Sequence, residues 1–489
     1  MLGTLKFRQE VFTVVTFLAA LAIMIVGYFL YGAFVDAIFG PTDNPTPAVR
    51  HPDGVDYIPL PTWKVFLIQL LDIAGLGPIF GALAGALWGP SVYLWIVFGT
   101  IFAGAVHDYL SGMISLREDG KSISEIVGMY LGPTMLTIMR VFSVVLLVLA
   151  GTVVMTGPAM LLAELTAMDF KIWLAIVIVY YFLATLLPVD TIIARLYPLF
   201  GICLIVMAIG IMGSMLTGVG GHVMPELQLA NLHPQGDKMP IWPLMFITVA
   251  CGAISGVHST QSPIMSRCLK DERLGRPVFY GAMVCEGIIA LIWAAAGVTF
   301  YDGTGGLAAA LKADGPGGCV YDICVGFFGT GLGASLAMLG VIACPITSGD
   351  TAFRSARLTL ADWFSVEQQS SAGRLKFAVP LLAVGGVLSQ MDFNIIWRYF
   401  SWTNQALAMI VLWTGAVYLA RTLPNKSYSL LAAVPATFMS AVSVTYILQA
   451  PEGLKLSTGI SYPAGIVAAV VFAALYYKAL AHGKPAASN

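Results

Sequence analysis

Long apolar runs alternate with short polar connectors along almost the whole chain, and thirteen of those runs are near the roughly 20 residues needed to cross a bilayer as a helix. They cover 11–38, 64–88, 90–116, 134–165, 170–189, 196–217, 242–264, 277–301, 328–357, 376–391, 398–421, 427–449 and 460–482. Pro41, Pro45, Pro47, Pro52, Pro59 and Pro61 make the first connector non-helical, and glycine-rich stretches at 218–221 and 303–306 mark two more. The pattern predicts an all-α polytopic membrane protein.

Two of the runs are interrupted. The first passes through Asp72-Ile73-Ala74-Gly75-Leu76-Gly77-Pro78-Ile79, and the second through Gly252-Ala253-Ile254-Ser255-Gly256-Val257-His258-Ser259-Thr260-Gln261-Ser262-Pro263-Ile264. Setting Pro78 on Pro263 aligns Gly-Pro-Ile with Ser-Pro-Ile. An unwound backbone survives in a bilayer only where it lines a cavity or is buried in protein. A matched pair of broken spans in two halves of a chain points to the binding site of a secondary transporter.

Composition agrees with a membrane location. Charged residues make up 10% of the chain, against about 25% in soluble domains, and the mean hydropathy is +0.84. A net charge of −1 argues against nucleic-acid partners. The first run is too long for the apolar core of a signal peptide and lacks a small-residue cleavage site, so no cleavable leader is expected. Seven cysteines are scattered without a metal-ligand spacing. Cys319 and Cys324 share a stretch assigned to an outer loop, where both a disulfide and two free thiols are open alternatives.

With the amino terminus outside, eighteen Lys and Arg residues fall on the cytoplasmic side and seven on the outer side, the bias of the positive-inside rule. Lys6 and Arg8 go against it. Five spans lie between 64 and 217 and five between 242 and 421, each set opening with a broken span. Because five is odd, the two sets enter the membrane in opposite directions, which is the arithmetic of a 5+5 inverted repeat. The expected organisation is an extra helix and proline-rich loop (1–63), a first repeat (64–217), an outer loop (218–241), a second repeat (242–421) and two further helices (422–489).

Ionisable and amide side chains inside spans are costly, at least about 2.5 kcal/mol for an acid at the bilayer centre, and therefore mark functional candidates. Asp72 reads either as an ion site or as a cap on the helix fragment that follows. His258-Ser259-Thr260-Gln261-Ser262 places five polar residues in a row beside Gly256, which favours substrate contact. Thr347, Ser348 and Asp350 supply oxygens for a coupling ion, although Asp350 and Arg354 can instead pair on one helix face. His107-Asp108 fits a proton relay or an interhelical bond, and Glu286 lies nine residues into its span. Trp402, Asn404 and Gln405 offer an aromatic wall and two amides. Trp95 and Trp242, near span starts, suit an interfacial belt. No HExxH, Walker loop or G-x-S-x-G is present, so no enzyme is expected.

Leu71-Asp72-Ile73-Ala74-Gly75-Leu76-Gly77-Pro78-Ile79, Trp95 to Gly99, Phe102 to Tyr109 and Ser111 to Arg117 resemble the carbon-starvation (CstA) transporters, as do Thr347 to Arg354 and Trp402 to Gln405. The resemblance runs from about 64 to 421, in a chain more compact than many members. It implies a LeuT-like 5+5 core of the amino acid–polyamine–cation superfamily and a place in the bacterial inner membrane. It also implies proton-driven uptake of peptides or pyruvate. In LeuT-like sodium symporters a threonine–serine pair holds the ion, and Thr347 and Ser348 match that place. The reading is therefore a symporter importing a small carboxylate or short peptide by alternating access, without cofactor or bound metal. Its substrate contacts are Ala74, Gly75, Gly77, Gly256, His258, Ser259, Thr260, Gln261, Trp402, Asn404 and Gln405. Asp72, Thr347, Ser348 and Asp350 serve the coupling proton, or sodium at Thr347 and Ser348. A non-transporting nutrient sensor and a channel are the rival classes.

Overall fold

The computed structural model describes residues 14–482 apart from 55, 167, 187–188 and 369; Lys6 and Arg8 therefore lie outside the described residues. Among the described residues every regular element is helical, as expected of a backbone that must satisfy its own polar groups in lipid. Among the described residues nine helices are long and apolar enough to cross a membrane.

The first is α1 (Val15–Phe39). The first repeat opens with α2 (Thr62–Ile73), which stops at Ala74 and resumes as a π turn at Gly77–Gly81. After Val92–Gly99 and Thr100–Gly104 comes α3 (Ala105–Arg117), then a short α4 (Ile123–Leu131). Ser122 and Glu125 form a reciprocal capping box that starts α4, and Gly132, at φ 96°, turns the chain into α5 (Pro133–Leu165). The repeat ends with α6 (Phe170–Leu186) and α7 (Val189–Leu216).

The second repeat opens with short pieces at Phe246–Thr248 and Ala250–Ala253, followed by α8 (Gly256–Ser266) and α9 (Gly281–Phe300). Two short helices, α10 (Thr304–Ala313) and α11 (Gly315–Phe328), precede α12 (Leu332–Phe364), α13 (Ser371–Leu388) and α14 (Phe393–Thr422). The chain closes with α15 (Leu430–Gln449) and α16 (Thr458–His482). The order of elements gives two sets of five spans, each opening with a broken one. Its centre is the packing of α5 on α12, with α8 lodged against α3, α14 and α2.

Three expectations need correction. The stretch after the glycines at 303–306 is helical, and Cys319 and Cys324 both lie in α11 as buried free thiols. Five residues apart on a helix they point about 140° apart, so they cannot bridge. The proline-rich connector contains one helical turn, Pro47–Arg50. It is also an anchored strap: Thr46 Oγ1 donates to the Leu269 carbonyl (2.6 Å), Leu60 N to Cys268 O (3.1 Å), and Arg50 pairs with Asp119 (2.6 Å). Arg117 clamps the same region, with Nε 2.5 Å from Glu272 and Nη2 2.8 Å from Gly40 O.

Candidate functional site

The two interruptions meet face to face. Proline at 78 removes a helix donor, and glycine at 75 and 77 lets the backbone turn and approach closely. A Cβ on Gly77 would stand 2.2 Å from the Cys251 Cβ, and one on Gly256 would stand 2.3 Å from the Asn404 carbonyl oxygen. Only glycine allows these contacts, which press the first break onto the second and the second onto α14.

Side chains occupy the backbone groups that the breaks release. Cys344 Sγ donates to Ala74 O (2.5 Å) and Ser348 Oγ to Leu71 O (2.9 Å). Asn404 Oδ1 accepts from Val257 N (2.8 Å) and from Ser255 Oγ (3.1 Å), and Gln405 Nε2 donates to Ile254 O (2.9 Å). Buried backbone polar groups need such partners, so α14 and α12 fasten one break each.

Most of the polar run in α8 is turned back on its own helix. Ser259 Oγ donates to Gly256 O (2.7 Å), Thr260 Oγ1 to Val257 O (2.6 Å) and Ser262 Oγ to His258 O (2.9 Å). Gln261 Nε2 reaches Thr260 Oγ1 (2.9 Å). Thr260 also borders a cavity of about 30 Å³ between α8 and α12, with Arg267, Ser355 and Asp362, room for about one water. His258 is directed elsewhere, to Asp108 at 2.8 Å. Trp402 is turned toward α15, where Nε1 donates to Ser443 O (3.1 Å), and so stands apart from the residues at the breaks.

Among the ion candidates, Asp72 occupies the last turn of α2 and is 2% exposed. Neither of its oxygens accepts a hydrogen bond of ordinary geometry, though the Thr351 hydroxyl and Asp350 lie alongside. It therefore does not cap the fragment beyond the break. Asp350 Oδ2 accepts from Tyr197 Oη (3.1 Å), which also reaches Thr347 O (3.2 Å). Arg354 does not form the anticipated ion pair with Asp350; its guanidinium donates to Ala184 O (3.2 Å). Thr347 Oγ1 and Ser348 Oγ both donate to Cys344 O (2.7 and 3.0 Å). Cys344 and Tyr197 are the site residues that sequence reasoning missed. A lone thiol or phenol in an apolar run carries little signal until its partner is known.

The sequence matches the family model "Carbon starvation protein CstA" over residues 12–159 and 136–315. It is 39% identical to an uncharacterised membrane protein of Haemophilus influenzae, over 61% of this chain and 94% of the other. Identity to the peptide transporter CstA of Bacillus subtilis is 26%, over 88% of this chain and 89% of that one. The pyruvate/proton symporter BtsT of Escherichia coli is 28% identical over 56% of this chain, and the match spans 47% of BtsT. Among solved structures, the Eremococcus coleocola manganese transporter superposes with a TM-score of 0.52 at 12% identity, covering 88% of this chain and 97% of that one. The last likeness concerns the fold alone.

Proposed function

Because the chain belongs to the carbon starvation protein CstA family and is a multi-pass bacterial membrane transporter, we propose that it imports small carboxylate nutrients, pyruvate or short peptides, as a proton-coupled symporter. The observation that carries this reading is the pair of apposed helix breaks, each tied by side chains from the other parts of the bundle. The substrate carboxylate binds between them, at the start of α8, where the helix dipole and the N–H groups that follow the one held by Asn404 favour an anion. Ala74, Gly75, Gly77 and Gly256 form the floor of that site, with His258 to Gln261, Asn404 and Gln405 around it. The repeats at 64–217 and 242–421 move against one another around it during alternating access.

Asp72 and Asp350 are the coupling acids of this reading. Both are buried, and a low-dielectric interior leaves a proton or a cation as the means of neutralising them. The names of the relatives support proton coupling and both substrate classes. One geometric observation favours sodium as a second reading: the Ser348 and Thr347 hydroxyls gather beside the Leu71 and Cys344 carbonyls, and a cation there would replace the hydrogen bonds that now join them. Hydroxyl and carbonyl oxygens suit a hard cation.

Counterflow in proteoliposomes tests the proposal. Labelled pyruvate, then labelled di- and tripeptides, should exchange against unlabelled substrate, and an acid-outside gradient should drive accumulation. Binding without any flux would make the chain a sensor. Flux that never saturates and shows no counterflow would make it a channel.

A further inference from the structure

One buried group of side chains takes no part in the Asp72–Asp350 pair. His107 and Asp108 on α3, His258 in the first turn of α8 and Glu286 on α9 are each no more than 1% exposed. Asp108 is held between two imidazoles, with Oδ1 2.7 Å from His107 Nδ1 and Oδ2 2.8 Å from His258 Nδ1. On the far side of His258, Nε2 lies 3.4 Å from Glu286 Oε2. Among the described residues, the other titratable groups facing these side chains are the thiols of Cys251, from the piece before the second break, Cys285 on α9 and Cys344 on α12. From α14 the cluster meets the neutral Asn404, which bonds Cys251. Asp108 is the charged group that acts on Glu286.

Asp108 accepts at both oxygens, so each imidazole carries its hydrogen on Nδ1, and a neutral ring then presents a bare lone pair at Nε2. His258 Nε2 therefore opposes the Glu286 carboxylate as one acceptor facing another. Neither Glu286 oxygen nor either Nε2 has a hydrogen-bond partner among the described residues. A single added proton between Nε2 and Oε2, 3.4 Å apart, replaces that opposition with attraction between a donor and an acceptor, and removing it restores two buried acceptors with nothing between them, a costly state.

We propose that Glu286, His258 and Asp108 form a second proton-binding site, whose occupancy docks or releases the start of α8 at the second break. The proposal rests on the symporter reading above for its role in transport. The proton binds on Glu286 Oε2, facing the His258 Nε2 lone pair, while His258 Nδ1–H stays on Asp108; release leaves Glu286 as a carboxylate. With the proton present, α8 is fastened to α3 through Asp108 and to α9 through Glu286. Without it, two carboxylates share a dry interior and the first turn of α8 is pushed from α9. That turn begins at Gly256, and Asn404 holds the very next N–H, so its movement changes the position proposed for the substrate carboxylate.

The test compares wild type with Glu286→Gln in proteoliposomes loaded with pyruvate and examined by infrared difference spectroscopy. If one proton accompanies each pyruvate anion, a step of about one pH unit supports about tenfold accumulation. Wild type should reach that ratio and Glu286→Gln should fall to near onefold, with counterflow still measurable. A pH-dependent protonated-carboxyl band should be present in wild type and missing from the variant. If wild type accumulates pyruvate and both Glu286→Gln and Asp108→Asn match it, the site is wrong while the symporter reading stands. If wild type ignores the pH step, the symporter reading fails, and the infrared band alone decides the site: its loss in Glu286→Gln supports proton binding, and its persistence overturns it. Should Glu286→Gln not fold, Glu286→Asp replaces it. The band must then shift, and an unmoved band overturns the proposal.

Discussion

Asn404 Oδ1 receives the backbone N–H of Val257 at 2.8 Å, so a side chain on α14 fixes the point at which the second half of a broken helix begins. Asn404→Ala leaves that buried donor without a partner, at a cost of about 1–3 kcal/mol. The variant should unfold at a lower temperature in detergent and bind substrate more weakly. Unchanged melting and binding would show that this contact is incidental to the break.

Gly77 and Cys251 set how closely the two breaks approach. The Cβ introduced by Gly77→Ala would lie 2.2 Å from that of Cys251, and overpacking of this kind costs about 1–3 kcal/mol. Adding Cys251→Gly should recover most of the lost stability, because the obstructing atoms are then gone. A double variant no more stable than Gly77→Ala would place the cost elsewhere, in the backbone angles at 77.

The two coupling readings separate by variant and by ion. Under proton coupling, Asp72→Asn or Asp350→Asn removes accumulation driven by an acid-outside gradient, from about tenfold at a pH step of about one unit to near unity. Under sodium coupling, uptake ignores the pH step, needs sodium, and is lost in Thr347→Ala. Measuring uptake with each gradient imposed alone distinguishes them.

Cys268 reports on the strap at 40–61. Its thiol is buried against that strap, and burial pushes it up to about 12, so at pH 8 it is protonated and unreactive, with the thiolate fraction growing as pH rises. In a chain whose other cysteines are alanine, maleimide labelling should be slow and should accelerate with pH. Arg117→Ala removes the 2.5 Å contact to Glu272 and the bond to Gly40 O. Arg117 is 25% exposed, so the loss lies below the full cost of breaking a buried pair, at about 1–3 kcal/mol. Labelling should then rise about tenfold, since each 1.4 kcal/mol is a factor of ten. No change would mean that the strap is held without Arg117.

The long apolar spans and the places where two of them break were legible in the amino-acid sequence, whereas the short helices Thr304–Ala313 and Gly315–Phe328 were not. The expected span 134–165 is Pro133–Leu165 in the structure, and 427–449 is Leu430–Gln449. Hydrophobic length is set by the bilayer, and Pro78, Gly75, Gly77 and Gly256 act on their own backbone, so both signals are local. Which polar side chains meet depends on the packing of distant helices. His258 and Asp108 stand 150 residues apart in sequence, Cys344 finds Ala74 across 270, and Trp402, a neighbour of Thr403 and Asn404, faces another helix altogether. A buried polar atom must find a partner wherever packing brings one within about 3 Å. That distance belongs to the fold of the whole chain, and no local pattern around Asp108, His258 or Glu286 contains it.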